Sequence, residues 1–203
     1  MKGFERTPPE LRWILRRRID RLGLKLEGSP VERFVLQLQR ELRRKGITRF
    51  QAVCYLTDEW GCPDREPIIG IPFYLADPKL ASLEKRMNDL EDSRKIMMYL
   101  RHEAGHAFNY AYRLFETARW RDLFGPFRRP YREDYRPVPF SRRYVRHMEG
   151  WYAQKHPDED WSETFAVWMS PHRDWRHEYR EWPAALKKLE VLEKAKTWRD
   201  RMG

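Results

Sequence analysis

Residues 102–106 spell HEAGH, which places two histidines four positions apart and a glutamate directly after the first. Four residues advance an α-helix by about 400°, so a helix would carry His102 and His106 one turn apart on one face. Both imidazoles could then bind a single metal ion, with Glu103 at the edge of the same face. Zinc chemistry needs this set: neutral nitrogen donors, an open position for water and a carboxylate that accepts a proton. The HExxH pattern therefore predicts one Zn²⁺ per chain.

The competing interpretation of this pattern is a pair of histidines hydrogen-bonded within an ordinary helix. The surrounding sequence argues against it, because the other face of the same helix is apolar, as a buried active-site helix requires. The small residues Ala104 and Gly105 also leave room for another element to pack closely. We therefore expect a metal site rather than two structural histidines.

Zinc needs a third protein ligand, and an acidic stretch downstream offers several. Glu159 and Glu163 are four residues apart, so they share one face of a predicted helix. Such a face suits one ligand and one carboxylate that orients a zinc-bound histidine. A solvated acidic first turn, favoured by the helix dipole, is the alternative; it accounts for Asp158 and Asp160 better than for Glu163 beside apolar Phe165. The spacing alone leaves Glu159 and Glu163 unranked. The candidate ligands are His147, His156, Asp158, Glu159, Asp160 and Glu163.

The other histidines fit a metal site less well. His156 could be the third ligand, but the proline that follows it, Pro157, predicts a turn at the entrance of the helix. His147 is interpreted as a polar surface or cleft residue. His172 and His177 lie among arginines and tryptophans and are interpreted as structural.

The elements that must position these residues follow from hydrophobic periodicity and turn residues. Ser29-Pro30 predicts the start of the second N-terminal helix, and Gly46 predicts its end. Residues 117–145 hold four prolines and many aromatics, which predicts an irregular but ordered covering segment. The predicted elements are two helices within 8–46, strands at 50–57 and 68–75, and helices at 78–90, 93–115, 158–169 and 183–198.

Together these elements predict an α+β fold that is predominantly helical, with a small sheet over the helix that carries HExxH. At 203 residues and 25.0 kDa the chain has the size of one domain. We divide that domain, 1–203, into an N-terminal helical segment (1–46), a core that carries the site (47–185) and a C-terminal helix (183–203). Pro72 is best tolerated on a sheet edge, so the strand at 68–75 is predicted to be an edge strand.

Composition limits the classes of protein that the chain can belong to. The longest apolar run, Ile68–Ala76, is far shorter than the about twenty residues that span a bilayer, and the N-terminal sequence has no signal-peptide pattern. Two cysteines cannot form a four-cysteine zinc site; Cys54 is interpreted as a buried thiol and Cys62 as a loop thiol. Their separation would permit a disulfide, but the cytoplasmic location that we expect argues against one.

The charge is strongly positive. Forty-one basic residues against 31 acidic ones give a net charge of +10, spread along the chain in short clusters rather than gathered in one block. Such a surplus can attract nucleic acid or an acidic protein, although dispersed charge more often only solvates a surface. Nucleic acid is therefore kept as an alternative partner, and no membrane partner is expected.

With HEAGH and a later Glu-x-x-x-Glu, the chain resembles the gluzincin metallopeptidases. The stretch from Tyr152 to Ala166, YAQKHPDEDWSETFA, is similar to that of the bacterial zinc-binding metallopeptidases and, more distantly, of the anthrax lethal factor catalytic domain. The resemblance covers about residues 50–185. It implies that Glu159 is the third zinc ligand, that Glu163 supports the site and that Tyr152 faces the substrate oxyanion. Ser162 stands where the motif usually has alanine, which leaves the ligands intact.

The resulting hypothesis is a zincin-like metallopeptidase that hydrolyses a peptide or protein substrate, with Glu103 as the general base. The strand at 68–75 could pair with the backbone of that substrate. The alternative is a catalytically silent zinc fold whose basic surface binds nucleic acid or an acidic protein. The presence of Glu103 and Tyr152 beside the ligands favours the hydrolase, since a binding protein has no need of a base.

Overall fold

The computed structural model describes residues 16–132 and 134–194, which are mostly helical with one small two-stranded sheet, an α+β combination. Single 3₁₀ turns at Ile19–Arg21, Phe73–Ala76, Leu114–Glu116 and Tyr152–Gln154 join some of the longer elements. The helices and strands are α1 (Glu32–Arg44), β1 (Val53–Thr57), β2 (Ile68–Pro72), α2 (Pro78–Met87), α3 (Ser93–Ala111), α4 (Ala118–Phe124), α5 (Pro157–Met169), α6 (Trp175–Glu178) and α7 (Pro183–Lys194).

The N-terminal helices agree with the prediction only in part. Most of the first predicted helix lies outside the described residues, and its described end holds a 3₁₀ turn. The second, α1, begins at Glu32 rather than at Ser29-Pro30, because the Ser29 hydroxyl donates back to the Leu26 carbonyl and does not cap the helix. Gly46, at a φ of 78°, ends it as predicted.

The two strands are parallel, with Val53 opposite Ile68 and Thr57 opposite Pro72. The sheet has only these two strands among the described residues, so β2 is an edge strand as predicted, and on its other side an isolated bridge forms in which the Gly70 amide donates to the Gly61 carbonyl at 2.7 Å. A Cβ at position 70 would lie 2.6 Å from the Thr57 Cγ2 atom and 3.2 Å from that carbonyl oxygen, so the crowding at this position favours glycine. The connection between the strands therefore covers part of the free edge of β2. Beyond Pro72 the predicted strand is replaced by the 3₁₀ turn at Phe73–Ala76.

Helix α3 carries the HExxH pattern through the centre of the molecule. The Asp92 carboxylate caps it by accepting from the amides of Arg94 and Lys95, so the predicted start is confirmed. The helix ends at Ala111, four residues before the predicted end, and the chain continues into the 3₁₀ turn at Leu114–Glu116. Its inner face is buried, including the whole of residues 102–110.

Helix α5 packs directly on α3, and Gly105 makes the close approach possible. A Cβ at Gly105 would lie 2.8 Å from the Ser162 Cα, so any larger residue would force the two helices apart. The Trp161 indole donates to the Gly105 carbonyl at 2.8 Å, and Phe165 stacks on Phe108 with ring centroids 5.3 Å apart. Every residue of α5 is buried. This packing therefore places α5 opposite the histidines of α3.

The segment predicted to be irregular contains one helix that was not predicted, α4, whose Trp120 and Phe124 are buried in the core. After α4, the described residues of 125–151 form neither helix nor strand. They are nevertheless tied down: the Gln154 side chain both donates to and accepts from the Val138 backbone, and the Tyr135 hydroxyl donates to the Gly150 carbonyl. Hydrogen bonds to the residues that follow, Gly150 and Gln154, thus order the predicted covering segment.

Two further expectations concern the ends of the chain and its thiols. Helix α7 begins at Pro183 as predicted, and its predicted last turn lies outside the described residues. Cys54 and Cys62 are both free, so no disulfide joins them. Within the described residues, no helix has the length and apolar character needed to cross a bilayer.

Candidate metal centre

His102 and His106 project from one face of α3 toward Glu159 in the first turn of α5. The Glu159 Oε2 atom lies 3.0 Å from His102 Nε2 and 3.2 Å from His106 Nε2, and the two Nε2 atoms are 3.1 Å apart. All three side chains are buried. Two helices that are distant in sequence thus bring two imidazole nitrogens and one carboxylate oxygen to a single point.

These three residues fit a zinc ion. Ligands at about 2.0–2.1 Å from one tetrahedral centre stand roughly 3.3 Å apart, close to the separations seen here. Two histidines and one carboxylate also match the donor set of catalytic zinc sites, which keep the fourth position for water. His102, His106 and Glu159, the set that the family resemblance implies, could therefore hold the ion.

Each histidine is oriented by a second carboxylate on its other ring nitrogen. His102 Nδ1 lies 3.0 Å from Glu163 Oε1, and His106 Nδ1 lies 2.7 Å from Asp158 Oδ2. An acceptor at Nδ1 holds the proton there and leaves the Nε2 lone pair directed at the cluster. The structure therefore places Glu163 beside His102 and away from the point where the three donor atoms converge.

Asp158 was expected to be a solvated residue of the first turn, and that expectation is wrong. It is 5% exposed and accepts hydrogen bonds from the Asn109 amide and the Tyr110 hydroxyl, both at 2.6 Å. Asp160 is also buried, at 2% exposure, and pairs with the Lys188 ammonium. Asn109 and Tyr110, three and four residues after His106, lie on the face that meets Asp158, and this spacing is a signal that sequence analysis could have used.

Glu163 is held by the chain that leads into α5. Its Oε2 atom accepts from the amides of His147 and Met148 at 2.9 and 3.0 Å, while Oε1 accepts from His102. These bonds outweigh the effect of burial and keep the pKa of Glu163 below its usual value. Glu163 is thus a fixed carboxylate whose hydrogen-bonding capacity is directed at His102.

The charges of the cluster depend strongly on one another. Burial opposes protonation of His102, but hydrogen bonds to Glu159 and Glu163 outweigh it and raise the pKa to about 9. Burial likewise opposes ionisation of Glu159, but the charge of His106 and the hydrogen bond from His102 hold its pKa well below the usual range. Without a metal, the cluster therefore holds protons that a cation would displace.

Glu103 borders the same cavity, which has a volume of about 520 Å³ and is also lined by both histidines and Glu159. It is 7% exposed, and burial raises the pKa of its carboxyl. A carboxylate whose pKa is raised toward neutrality is a better proton acceptor than a solvated one. Its position and environment therefore suit a general base.

Two tyrosines cover the cluster. Tyr152, named from the sequence, has its ring 5.6 Å from the His102 ring, and burial raises its pKa. Tyr131 was not predicted; its hydroxyl donates to Glu159 Oε1 at 2.8 Å and lies 3.4 Å from the Tyr152 hydroxyl. Tyr131 belongs to the irregular segment, where no spacing connects a side chain with a site, so the sequence offered no signal for it.

The remaining histidines lie outside the cluster. His156 caps α5, with Nδ1 accepting from the Asp158 amide and Nε2 donating to the Arg129 carbonyl, so the predicted turn at the helix entrance is confirmed. His147 is half-buried and donates from Nε2 to the Met98 carbonyl, and burial lowers its pKa to about 4. His177 contacts Arg180 near α6.

Residues 67–191 match the family model described as "Putative zinc-binding metallo-peptidase". The chain belongs to this family. The match spans α3 and α5 and therefore includes every residue of the cluster, and it confirms the resemblance to the bacterial zinc-binding metallopeptidases, while the resemblance to the gluzincins stays a prediction. Comparisons with curated proteins and with solved structures give no match. The more distant resemblance to anthrax lethal factor therefore stays a prediction.

The carboxylates behind the histidines give a test of the centre. We expect Asp158→Asn to lower zinc affinity about 10–100-fold, because the amide removes a charged acceptor from His106 Nδ1. The measurement is a competition titration against a chromophoric zinc chelator. Asp160→Asn is the matched control, since Asp160 is equally buried in the same turn but faces Lys188; equal losses in the two variants would contradict a specific role for Asp158.

Proposed function

We propose that this chain is a zinc-dependent metallopeptidase of the zincin type, with His102, His106 and Glu159 as the zinc ligands. The observation that carries the proposal is the convergence of the three donor atoms within 4.8 Å of one another, beside the buried Glu103 that lines the same cavity. A structural zinc site is normally closed by four protein ligands. Three ligands with a base at an accessible cavity support hydrolysis instead.

Each residue around the cluster has a separate role in peptide hydrolysis. Bound zinc would supply Lewis acidity, which polarises a carbonyl group and lowers the pKa of water. Glu103 accepts a proton from the attacking water and delivers it to the leaving amine. Tyr152 donates a hydrogen bond to the oxyanion that develops on the substrate carbonyl. Glu163 and Asp158 keep the two imidazoles in place throughout.

Tyr131 restrains the third ligand. Its hydroxyl donates a hydrogen bond to Glu159 Oε1, so Oε2 is the oxygen that faces the histidines. A carboxylate held in this way binds a metal through one oxygen, which keeps another coordination position available for water. We therefore assign Tyr131 to positioning and Tyr152 to the contact with substrate.

The alternative is a zinc protein that only binds a partner through its basic surface. The net charge of +10 favours this alternative, because it would attract an anionic partner. The buried, raised-pKa Glu103 favours the hydrolase, because burying a carboxylate costs free energy that a binding protein has no reason to expend.

The direct test is zinc content measured together with peptide cleavage. We expect about one zinc per chain by elemental analysis, and cleavage of denatured casein that stops on removal of the metal with a chelator and returns with added zinc. Zinc binding without cleavage of casein or of a degenerate peptide library would favour the binding protein. Cleavage that persists after the metal is removed would contradict a zinc enzyme.

A further inference from the structure

The cavity at the metal centre adjoins a second one. A neighbouring cavity of about 740 Å³ shares the lining residues Arg65, Tyr110, Phe127 and Arg128 with it, so the two lie side by side, and we call them together the groove. A peptide bond held at the metal centre would place its neighbouring residues close to the second cavity. We call the second cavity the arginine pocket.

The wall of the arginine pocket is positively charged. It is lined by the four arginines Arg65, Arg113, Arg121 and Arg128, against a single carboxylate from Glu116. Glu116 is already paired with Arg113 at 2.6 Å. Within the part of the chain that the structure describes, Arg121 and Arg128 form no ion pair, and both are exposed.

Arg65 places a further positive charge at the groove, because it lines both cavities. Its only carboxylate contact within the described residues is an exposed one with Asp64 at 3.7 Å, and such a pair contributes little. Its guanidinium lies 5.7 Å from the centre of the Phe127 ring, which places it at the junction of the two cavities. Positive charge is therefore present where the groove leaves the metal centre.

The floor of the arginine pocket is apolar, formed by Phe115, Pro126, Phe127 and the ring of Tyr110. Phe115 and Phe127 stack with ring centroids 4.3 Å apart, so the floor is a rigid aromatic surface. An aliphatic stem can lie on such a surface while a terminal carboxylate reaches the surrounding guanidinium groups. Guanidinium groups bind carboxylates with two parallel hydrogen bonds, which gives selectivity as well as affinity.

We propose that the arginine pocket selects peptide substrates with an acidic side chain, glutamate or aspartate, close to the cleaved bond. The proposal rests on the proposed function and adds the substrate class to it. The net charge of +10 acts in the same direction, because it attracts acidic chains to the surface before they enter the groove.

The test begins with cleavage sites mapped by mass spectrometry in a degenerate peptide library with acetylated and amidated ends. We expect acidic residues to be enriched within a few positions of the cleaved bond. The best substrate is then compared with a twin in which each acidic residue is replaced by its amide. We expect kcat/KM to fall about tenfold in the twin, the effect of losing two partly exposed guanidinium contacts.

Variants of the pocket assign the preference. Arg121→Gln combined with Arg128→Gln should bring the two peptides to nearly equal kcat/KM. Arg119→Gln combined with Arg142→Gln, which removes the same number of charges at two exposed residues that do not line the pocket, should leave the difference unchanged. Loss of preference in the control as well would show that overall charge, and not the pocket, selects the substrate, and would overturn the proposal.

The remaining outcomes separate this proposal from the proposed function. Cleavage without acidic preference would overturn the pocket assignment and leave the peptidase intact. Cleavage confined to the last bond of peptides with a free C-terminus would show that the arginines bind the chain end, which overturns the side-chain assignment. If no peptide is cut, fluorescence anisotropy compares the binding of a glutamate-containing peptide with capped ends and of its glutamine twin; equal affinities would overturn the pocket assignment as well.

Discussion

Glu103→Gln is expected to abolish peptide hydrolysis while about one zinc ion per chain stays bound. The amide has nearly the same shape as the carboxylate but cannot accept a proton, so the attacking water loses its base. Loss of general-base catalysis costs about 10²–10⁴-fold in rate, and loss of proton delivery to the leaving amine adds to it. Because Glu103 makes no hydrogen bond to the cluster in the described structure, the ligands should keep their positions.

The measurement compares kcat on one mapped peptide with zinc content for the wild type and the variant. Glu181→Gln, at an exposed glutamate, is the matched control and should retain full activity. Comparing the wild type with Glu103→Gln also shows whether a contaminating protease causes the cleavage, because a contaminant would cleave the peptide in both preparations. Undiminished turnover in Glu103→Gln would remove the assignment of Glu103 as the base.

Glu159→Gln is expected to lose zinc, whereas Glu163→Gln should retain it with about 10–100-fold lower affinity. The reason is geometric: Glu159 Oε2 lies about 3 Å from both Nε2 atoms, while Glu163 reaches only Nδ1 of His102. The two substitutions make the same chemical change on the same face of α5, so each serves as the control of the other.

Thermal unfolding provides a second measurement of zinc binding by these two variants. A ligand that binds only the folded state stabilises it by about 4 kcal/mol when present at a thousand times its Kd. Added zinc should therefore raise the Tm of the wild type strongly, that of Glu163→Gln less, and that of Glu159→Gln not at all. The Tm of each variant without zinc shows whether it folds. Zinc retained by Glu159→Gln and lost by Glu163→Gln would exchange the roles of the two glutamates.

Apart from Tyr152, which the family resemblance supplied, the site residues predicted from the sequence share one property, which is that each lies on a helix face set by helical periodicity. His102 and His106 are one turn apart, as are Glu159 and Glu163, so their faces follow from local geometry once each helix is recognised. The contact between the two helices belongs to the tertiary structure, and in the local sequence only the small residue Gly105 indicated it.

The features that sequence analysis missed depend on contacts between distant parts of the chain. Asp158 has the spacing of a helix-capping acid, and only the packing of α5 on α3 buries it against His106. Tyr131 reaches Glu159 from a segment without periodicity. The backbone of Gly61 covers β2 because Gly70 lacks a side chain, which no propensity encodes. In each case the missing information is the relative placement of elements.

The direct contact of α3 and α5 at Gly105 and Ser162 has an evolutionary consequence. The histidines and the glutamate belong to two helices that support each other, and residues 112–156 leave and return beside them as a large excursion. Arg128 of this excursion is exposed and lines both cavities, so exchanges there would alter the groove, whereas His147 and Met148 of the same excursion hold Glu163 and support the metal centre. We therefore expect diversification of substrate range to concentrate at the residues of this excursion that line the groove, and not at those that hold the glutamates of α5.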